Sequence, residues 1–198
     1  ISKLNEINPE FIINCGAFTN VDLAEIERKI AMDVNTDSVK EICNYLKING
    51  GGLIQISTDY VFNGKQNTPY LPNQTLSPIN IYGKTKAKAE RLISDILIEE
   101  NQLSILRTSW LIGPFGKNFA KTMMKLHQEK EFLNVVNDQI GRPTCASDLA
   151  NATIHILKEI NHNENTNQIF HFCGDKICSW YDFAHEIYLA AKCLKLDA

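Results

Sequence analysis

The sequence predicts an α/β fold built on a parallel sheet, and three observations carry that prediction. Apolar runs of about five residues alternate with amphipathic stretches of a dozen or more, the pattern of βαβ units. The short runs are continuously apolar, as strands buried on both faces require. Cap and turn residues stand between them. With 198 residues, 44% of them hydrophobic and 22% charged, the chain can bury a sizeable core without a metal or disulfide staple. The net charge of −3 argues against general nucleic-acid binding. No run of about 18 apolar residues suggests a membrane span. No secretory leader is expected from the mixed, polar start, which opens on Ile1 rather than Met.

Taken in order, Asn8-Pro9 announces a strand from Phe11 to Cys15. Thr36 is placed to cap a helix through Val39, Ile42, Cys43 and Leu46, which Gly50-Gly51-Gly52 stops. Leu53 to Ser57 is the next strand, followed by a polar loop containing Pro69, Pro72 and Pro78. A helix is expected from Asn80 to Glu99 and a strand from Leu103 to Arg107. Gly113-Pro114 breaks the chain before a helix from Asn118 to Glu129 and a strand from Phe132 to Val136. Ser147 or Asp148 starts a helix to Ile160, and the Asn-rich stretch 161–167 reads as a surface loop. Gln168 to Phe172 reads as a strand. Ser179 caps a last helix through Trp180, Phe183, Ile187 and Leu189. No internal repeat is present.

The six cysteines include no C-x-x-C pair. Cys15, Cys43 and Cys193 lie in apolar stretches and read as core, so the expectation is reduced thiols in a cytoplasmic protein. His171, Cys173 and Cys178 are close in sequence, but a zinc site needs a fourth ligand and none is evident. No metal is expected.

In parallel sheets ligands bind at the carboxyl ends of the strands. Those ends are Gly16-Ala17-Phe18-Thr19, Ser57-Thr58-Asp59-Tyr60 and Thr108-Ser109-Trp110. Downstream of the second stands Tyr82-Gly83-Lys84-Thr85-Lys86. Four residues on a helix bring Tyr82 and Lys86 to one face, shared with Ala89 and Ile93. Lys84, Lys88 and Arg91 fall opposite, on a solvated face. A cation near a phenol favours the phenolate and lowers a pKa that is ordinarily near 10. Tyr82 could then exchange a proton with a carbonyl or alcohol oxygen, and Thr58 could hydrogen-bond the same oxygen. Tyr188 and Lys192 repeat the spacing, but no strand-end hydroxyl precedes them and they read as structural.

These residues resemble the extended short-chain dehydrogenase/reductase family, and within it the dTDP-4-dehydrorhamnose reductases. The matching segments run in family order over nearly the whole chain. They include INCGAFTNVD at 13–22, ISTDYVFNG at 56–64, SPINIYGKTKAKAE at 77–90, ILRTSWLIGPFGKNF at 105–119, VVNDQIGRPT at 135–144 and SWYDFAHEI at 179–187. The resemblance implies a Rossmann-type, doubly wound parallel sheet with a smaller substrate-binding lobe. Residues 1–116 would be part of the nucleotide-binding domain. Residues 117–198 would be mainly the sugar-nucleotide lobe, with the chain able to cross between the two. It implies reduction of a dTDP-linked 4-keto-6-deoxy sugar with NADPH or NADH, and a homodimer.

By the same resemblance Tyr82 is the catalytic acid, Lys86 lowers its pKa and holds the nicotinamide ribose, and Thr58 polarises the C4 carbonyl. Gly16, Ala17, Phe18, Thr19 and Ser57 line the cofactor, with Asn35 supporting that strand end. Asp59, Tyr60, Trp110, Asn118 and Arg142 lie on the substrate side, Arg142 facing the nucleotide diphosphate. The family's opening G-x-x-G-x-x-G turn is not in this sequence. The resemblance therefore implies a chain shortened at both ends, with weak cofactor binding by itself. Two other readings share these motifs: a non-catalytic relative such as the regulatory β subunit of methionine adenosyltransferase, and a reductase of UDP-linked sugars.

Overall fold

A computed structural model of the chain describes residues 1–97, 103–162 and 168–194. It contains a four-stranded sheet and two small two-stranded ones. The chain divides into two compact units. Unit 1 holds Ile1–Arg107 and Thr153–His171; unit 2 holds Thr108–Ala152 and Phe172–Ala198. The break after Arg107 falls earlier than the expected boundary at residue 116, and the chain returns to unit 1 before ending in unit 2.

In unit 1, α1 (Ser2–Ile7) precedes β1 (Phe11–Asn14), and α2 (Val21–Ile26) and α3 (Arg28–Met32) follow it. After a π-helical turn at Asp33–Asp37 come α4 (Ser38–Asn49), β2 (Gly52–Thr58), α5 (Ile81–Ile96) and β3 (Leu103–Thr108). Strand β7 (Gln168–His171) completes the sheet in the order β1-β2-β3-β7. β1 pairs parallel with β2, with Phe11 opposite Gly52. β3 pairs parallel with β7, with Arg107 opposite His171. β2 is buried along nearly its whole length, polar Gln55, Ser57 and Thr58 included. The core between α4, α5 and the sheet is built from Val39, Cys43, Leu46, Leu53, Ala89, Ile93 and Leu103.

In unit 2, β4 (Leu111–Ile112) pairs parallel with β6 (Thr144–Cys145), and β5 (Ile140–Gly141) pairs antiparallel with β8 (Cys178–Ser179). Helices α6 (Phe119–Glu129) and α8 (Trp180–Cys193) pack together. α7 (Ala146–His162) starts in unit 2 and ends in unit 1.

Several expectations need correction. Thr36 does not cap a helix; it lies in the π-helical turn, fully buried, and its hydroxyl donates to Thr85 O. The helix it was expected to open does end at Gly50, whose φ of 74° suits glycine. Phe132 to Val136 is not a strand. Phe132 and Val136 are exposed, so no burial rewards extension there. Cys43 is buried, but Cys15 and Cys193 are exposed, one past the end of β1 and the other in the last turn of α8. The polar stretch 163–167 lies outside the described residues. Among the described residues no group of three or more His, Cys, Asp or Glu could hold a metal ion. No helix there is long and apolar enough to cross a membrane.

Candidate active site

Helix α5 begins where three side-chain and backbone contacts converge. Asn80 caps it, its side-chain oxygen accepting Gly83 N at 2.7 Å. Glu25 Oε1 accepts Ile81 N at 2.7 Å, tying α2 to the same turn. Gly83 packs flat on the turn Asp59–Val61, where a Cβ would drive into the Tyr60 carbonyl oxygen. The two faces divide as the spacing predicts. Tyr82, Lys86, Ala89 and Ile93 are buried, while Lys84, Lys88 and Arg91 are exposed.

This places Tyr82 beside the end of β2. The rings of Tyr60 and Tyr82 meet edge to face with centroids 5.6 Å apart. The Thr58 hydroxyl lies beside the Tyr82 phenol and favours its ionised form. Thr58 Oγ1 also donates to Asp59 Oδ1 at 3.1 Å and accepts Tyr60 N at 3.2 Å. Burial is the largest influence on Tyr82 and pushes its pKa up to about 12, with the Asp59 charge acting the same way and Thr58 opposing. The expectation that Lys86 lowers this pKa is not met. Lys86 is not among the groups acting on the phenol, and burial outweighs what is. The Lys86 ammonium instead donates to Ile56 O at 2.7 Å. Its own pKa falls to about 8, mainly through burial, against the favourable charge of Glu90. Asp59 keeps solvent access, yet protein crowds its carboxyl closely enough that desolvation pushes it up to about 6.

The strand-end loop at Gly16-Ala17-Phe18-Thr19 follows β1 and is shaped by Asn35. This residue is fully buried and fully bonded: Oδ1 accepts Phe18 N at 2.7 Å, and Nδ2 donates to Phe18 O and Thr85 Oγ1. Thr85 Oγ1 donates in turn to Tyr82 O. One buried amide therefore joins the loop to the helix that carries Tyr82 and Lys86. Ser57 is also buried, its hydroxyl donating to Glu90.

Unit 1 thus brings together Thr58, Asp59, Tyr60, Tyr82 and Lys86, with Ser57 and the 16–19 loop nearby in the fold. Trp110, Asn118 and Arg142 belong to unit 2. Trp110 has a φ of 45°, a strained backbone for so bulky a residue. Its ring stacks on Trp180 with centroids 3.5 Å apart and lies against Gly141, where no Cβ would fit. Asn118 caps α6, accepting Lys121 N at 3.0 Å and donating to Gly113 O at 2.7 Å. Arg142 Nη1 donates to the carbonyls of Gly174 and Asp175. The second Tyr-x-x-x-Lys pair lies on α8, where Tyr188 packs against the His127 ring.

Sequence reasoning missed Glu90, Arg107 and Gly83. Glu90 and Arg107 form a buried ion pair at 2.7 Å, each side chain 3% exposed. The available signal was Glu90 itself, a charge four residues beyond Lys86 on the stripe that should be apolar.

Similarity to known proteins agrees with this architecture. A dTDP-4-dehydrorhamnose reductase of Aggregatibacter actinomycetemcomitans is 39% identical over 188 residues, covering 94% of this chain and 63% of that protein. A dTDP-4-dehydrorhamnose reductase of Bacillus anthracis, solved in complex with NADP, superposes with a TM-score of 0.85 at 39% identity, over 96% of this chain and 65% of that one. The corresponding Clostridium acetobutylicum structure gives 0.87 at 37% identity, over 94% and 64%. The chain thus spans less than two thirds of each of these relatives. The family model described as the RmlD substrate binding domain matches residues 2–196, and the chain belongs to that family.

Proposed function

We propose that the chain carries the proton-transfer half of a reductase that converts the C4 ketone of dTDP-4-dehydro-L-rhamnose to the alcohol of dTDP-L-rhamnose, with NADPH as reductant. The observation that supports this most directly is the buried Tyr82 phenol beside the Thr58 hydroxyl, on the same helix face as the buried Lys86. The names of the relatives and the NADP bound to one of them point the same way.

The donor set suits the nicotinamide-ribose end of such a cofactor. An ammonium, a phenol and a hydroxyl converge at the carboxyl end of a parallel strand, where nucleotides bind in sheets of this kind. When bound, NADPH supplies the hydride that adds to C4. As that carbon is reduced, its oxygen gains negative charge and needs a proton. Tyr82 holds one: with a pKa raised to about 12 it is neutral at pH 7 and can donate. Thr58 offers a second hydrogen bond to the same oxygen. Lys86 would hold the ribose hydroxyls, and Gly16, Ala17, Phe18, Thr19 and Ser57 would line the cofactor. Asp59 and Tyr60 would border the sugar, and Trp110, Asn118 and Arg142 are assigned to the substrate on the family resemblance alone.

The sequence contains no G-x-x-G-x-x-G turn to cradle the pyrophosphate. This chain alone is therefore expected to bind NADPH more weakly than micromolar, and calorimetric titration tests that. The catalytic role is tested in the enzyme at the full length of the relatives. Tyr82→Phe should lower the rate of NADPH oxidation with dTDP-4-dehydro-L-rhamnose by 10²-fold or more, roughly the contribution of a positioned general acid. An unchanged rate removes Tyr82 from the acid role.

A further inference from the structure

A second layer of charge lies behind Thr58, Tyr82 and Lys86, and the chemistry above makes no use of it. Arg107 Nη2 meets Glu90 Oε2 at 2.7 Å, and Arg107 Nε donates to both Glu90 oxygens at 3.1 and 3.2 Å. The rest of the guanidinium is also occupied. Nη1 donates to Pro72 O at 2.9 Å and meets His171 Nε2 at 3.1 Å, and the group sits 5.1 Å over the Phe62 ring. Glu90 Oε1 accepts one more hydrogen bond, from the Ser57 hydroxyl at 2.5 Å.

A buried ion pair is poor evidence of stabilisation, because well-packed apolar residues of similar volume often serve as well or better. The placement of this pair is more informative. Glu90 stands one turn beyond Lys86 on α5, so the two share a face. Lys86 Nζ donates to Ile56 O, and Glu90 accepts from Ser57. Helix α5 is thereby tied to two successive residues of β2, immediately before Thr58. Tyr82 lies one turn ahead of Lys86 on the same helix. The two ties fix the helix bearing the phenol against the strand end bearing the hydroxyl. Around Lys86, burial works against the charged form and Glu90 favours it; Cys15, just past the end of β1, adds to this only as a thiolate.

We propose that Glu90 is a positioning residue for the Thr58–Tyr82–Lys86 chemistry, its carboxylate tying Ser57 to α5 and setting a negative charge one turn from the buried Lys86 while Arg107 fixes the carboxylate in place. The proposal rests on the reading of those three residues given above.

Side-chain NMR of this chain across pH tests it, following Lys86 15Nζ and Glu90 13Cδ. In the unmodified chain Lys86 should titrate near 8, and the Glu90 signal should move at the same midpoint. Glu90→Gln keeps the shape and an acceptor for Ser57 but removes the charge, so the Lys86 midpoint falls by about 1 pH unit. That variant leaves Arg107 buried and unpaired, so Glu90→Gln/Arg107→Met is measured beside it. Removing both charges is close to neutral for folding, and the Lys86 midpoint again falls. A purely structural Glu90 would change the melting temperature and leave that midpoint where it was. An unchanged midpoint in either folded variant, or a Glu90 signal in the unmodified chain that ignores Lys86 titration, overturns the proposal. The measurement involves no turnover, so it stands apart from the outcome of the Tyr82→Phe experiment.

Discussion

Gly83→Ala sets two opposing effects against each other, and the structure decides which wins. In an ordinary helix the change favours folding by up to about 1 kcal/mol. At this position the new Cβ would press into the Tyr60 carbonyl oxygen and lie 3.0 Å from its carbon and 3.1 Å from Asn80 Oδ1. Two of those atoms are backbone, and Asn80 is committed to capping the helix. The obstacle therefore cannot swing aside like the end of a flexible side chain. Overpacking of this kind typically costs about 1–3 kcal/mol, enough to outweigh the gain in propensity. A net loss of about 2 kcal/mol corresponds to a fall of roughly 4–8 °C in Tm for a chain of this size. Thermal and urea unfolding followed by circular dichroism measure it. The relieving movement separates α5 from the turn after Thr58, so the Thr58–Tyr82 contact should loosen as well. A Gly83→Ala chain that melts at or above the unmodified one would refute the reasoning.

Two further outcomes follow from the geometry. Desolvation raises Asp59 from 3.8 to about 6, so the folded chain holds its proton more tightly than the unfolded one; the resulting stability is present below about pH 3.8 and is lost as pH rises through 6. Asp59→Asn removes that dependence, so urea titrations should show the variant gaining on the unmodified chain between pH 4 and pH 7; a constant difference would count against it. Trp110 and Trp180 are the only tryptophans in the sequence and stack at 3.5 Å, so the near-ultraviolet circular dichroism should contain a coupled indole signal. Trp180→Ala should abolish it and destabilise by about 3 kcal/mol through lost packing, including the contact with Phe119; a spectrum that merely halves would show the stack to be absent in solution.

The sequence by itself determined the parts of this protein whose signals are local. Periodicity placed Tyr82 and Lys86 on one face of a helix, because a 3.6-residue repeat leaves no other arrangement. The helices read as starting at Asn80, Asn118 and Ser179 do start there, because these short polar side chains satisfy the orphan N–H groups of a first turn. The largely apolar run at 53–57 is a central strand for an equally local reason. Only tertiary structure decided what those residues experience. Lys86 and Tyr82 share a face, yet the ammonium binds Ile56 O, and burial raises the phenol. Thr36 looks like a cap until Thr85 O claims its hydroxyl from far along the chain. Phe132 to Val136 has a strand's composition, but among the described residues no strand pairs with it, and Phe132 and Val136 stay exposed. Glu90 showed in the sequence only as a charge on an apolar stripe; its partners came when β2 and β3 delivered Ser57 and Arg107 to it. Local spacing fixes which side chains are neighbours on one element. Desolvation and charge pairing depend on what other elements bring up to them, and those distances are set only when the chain has folded.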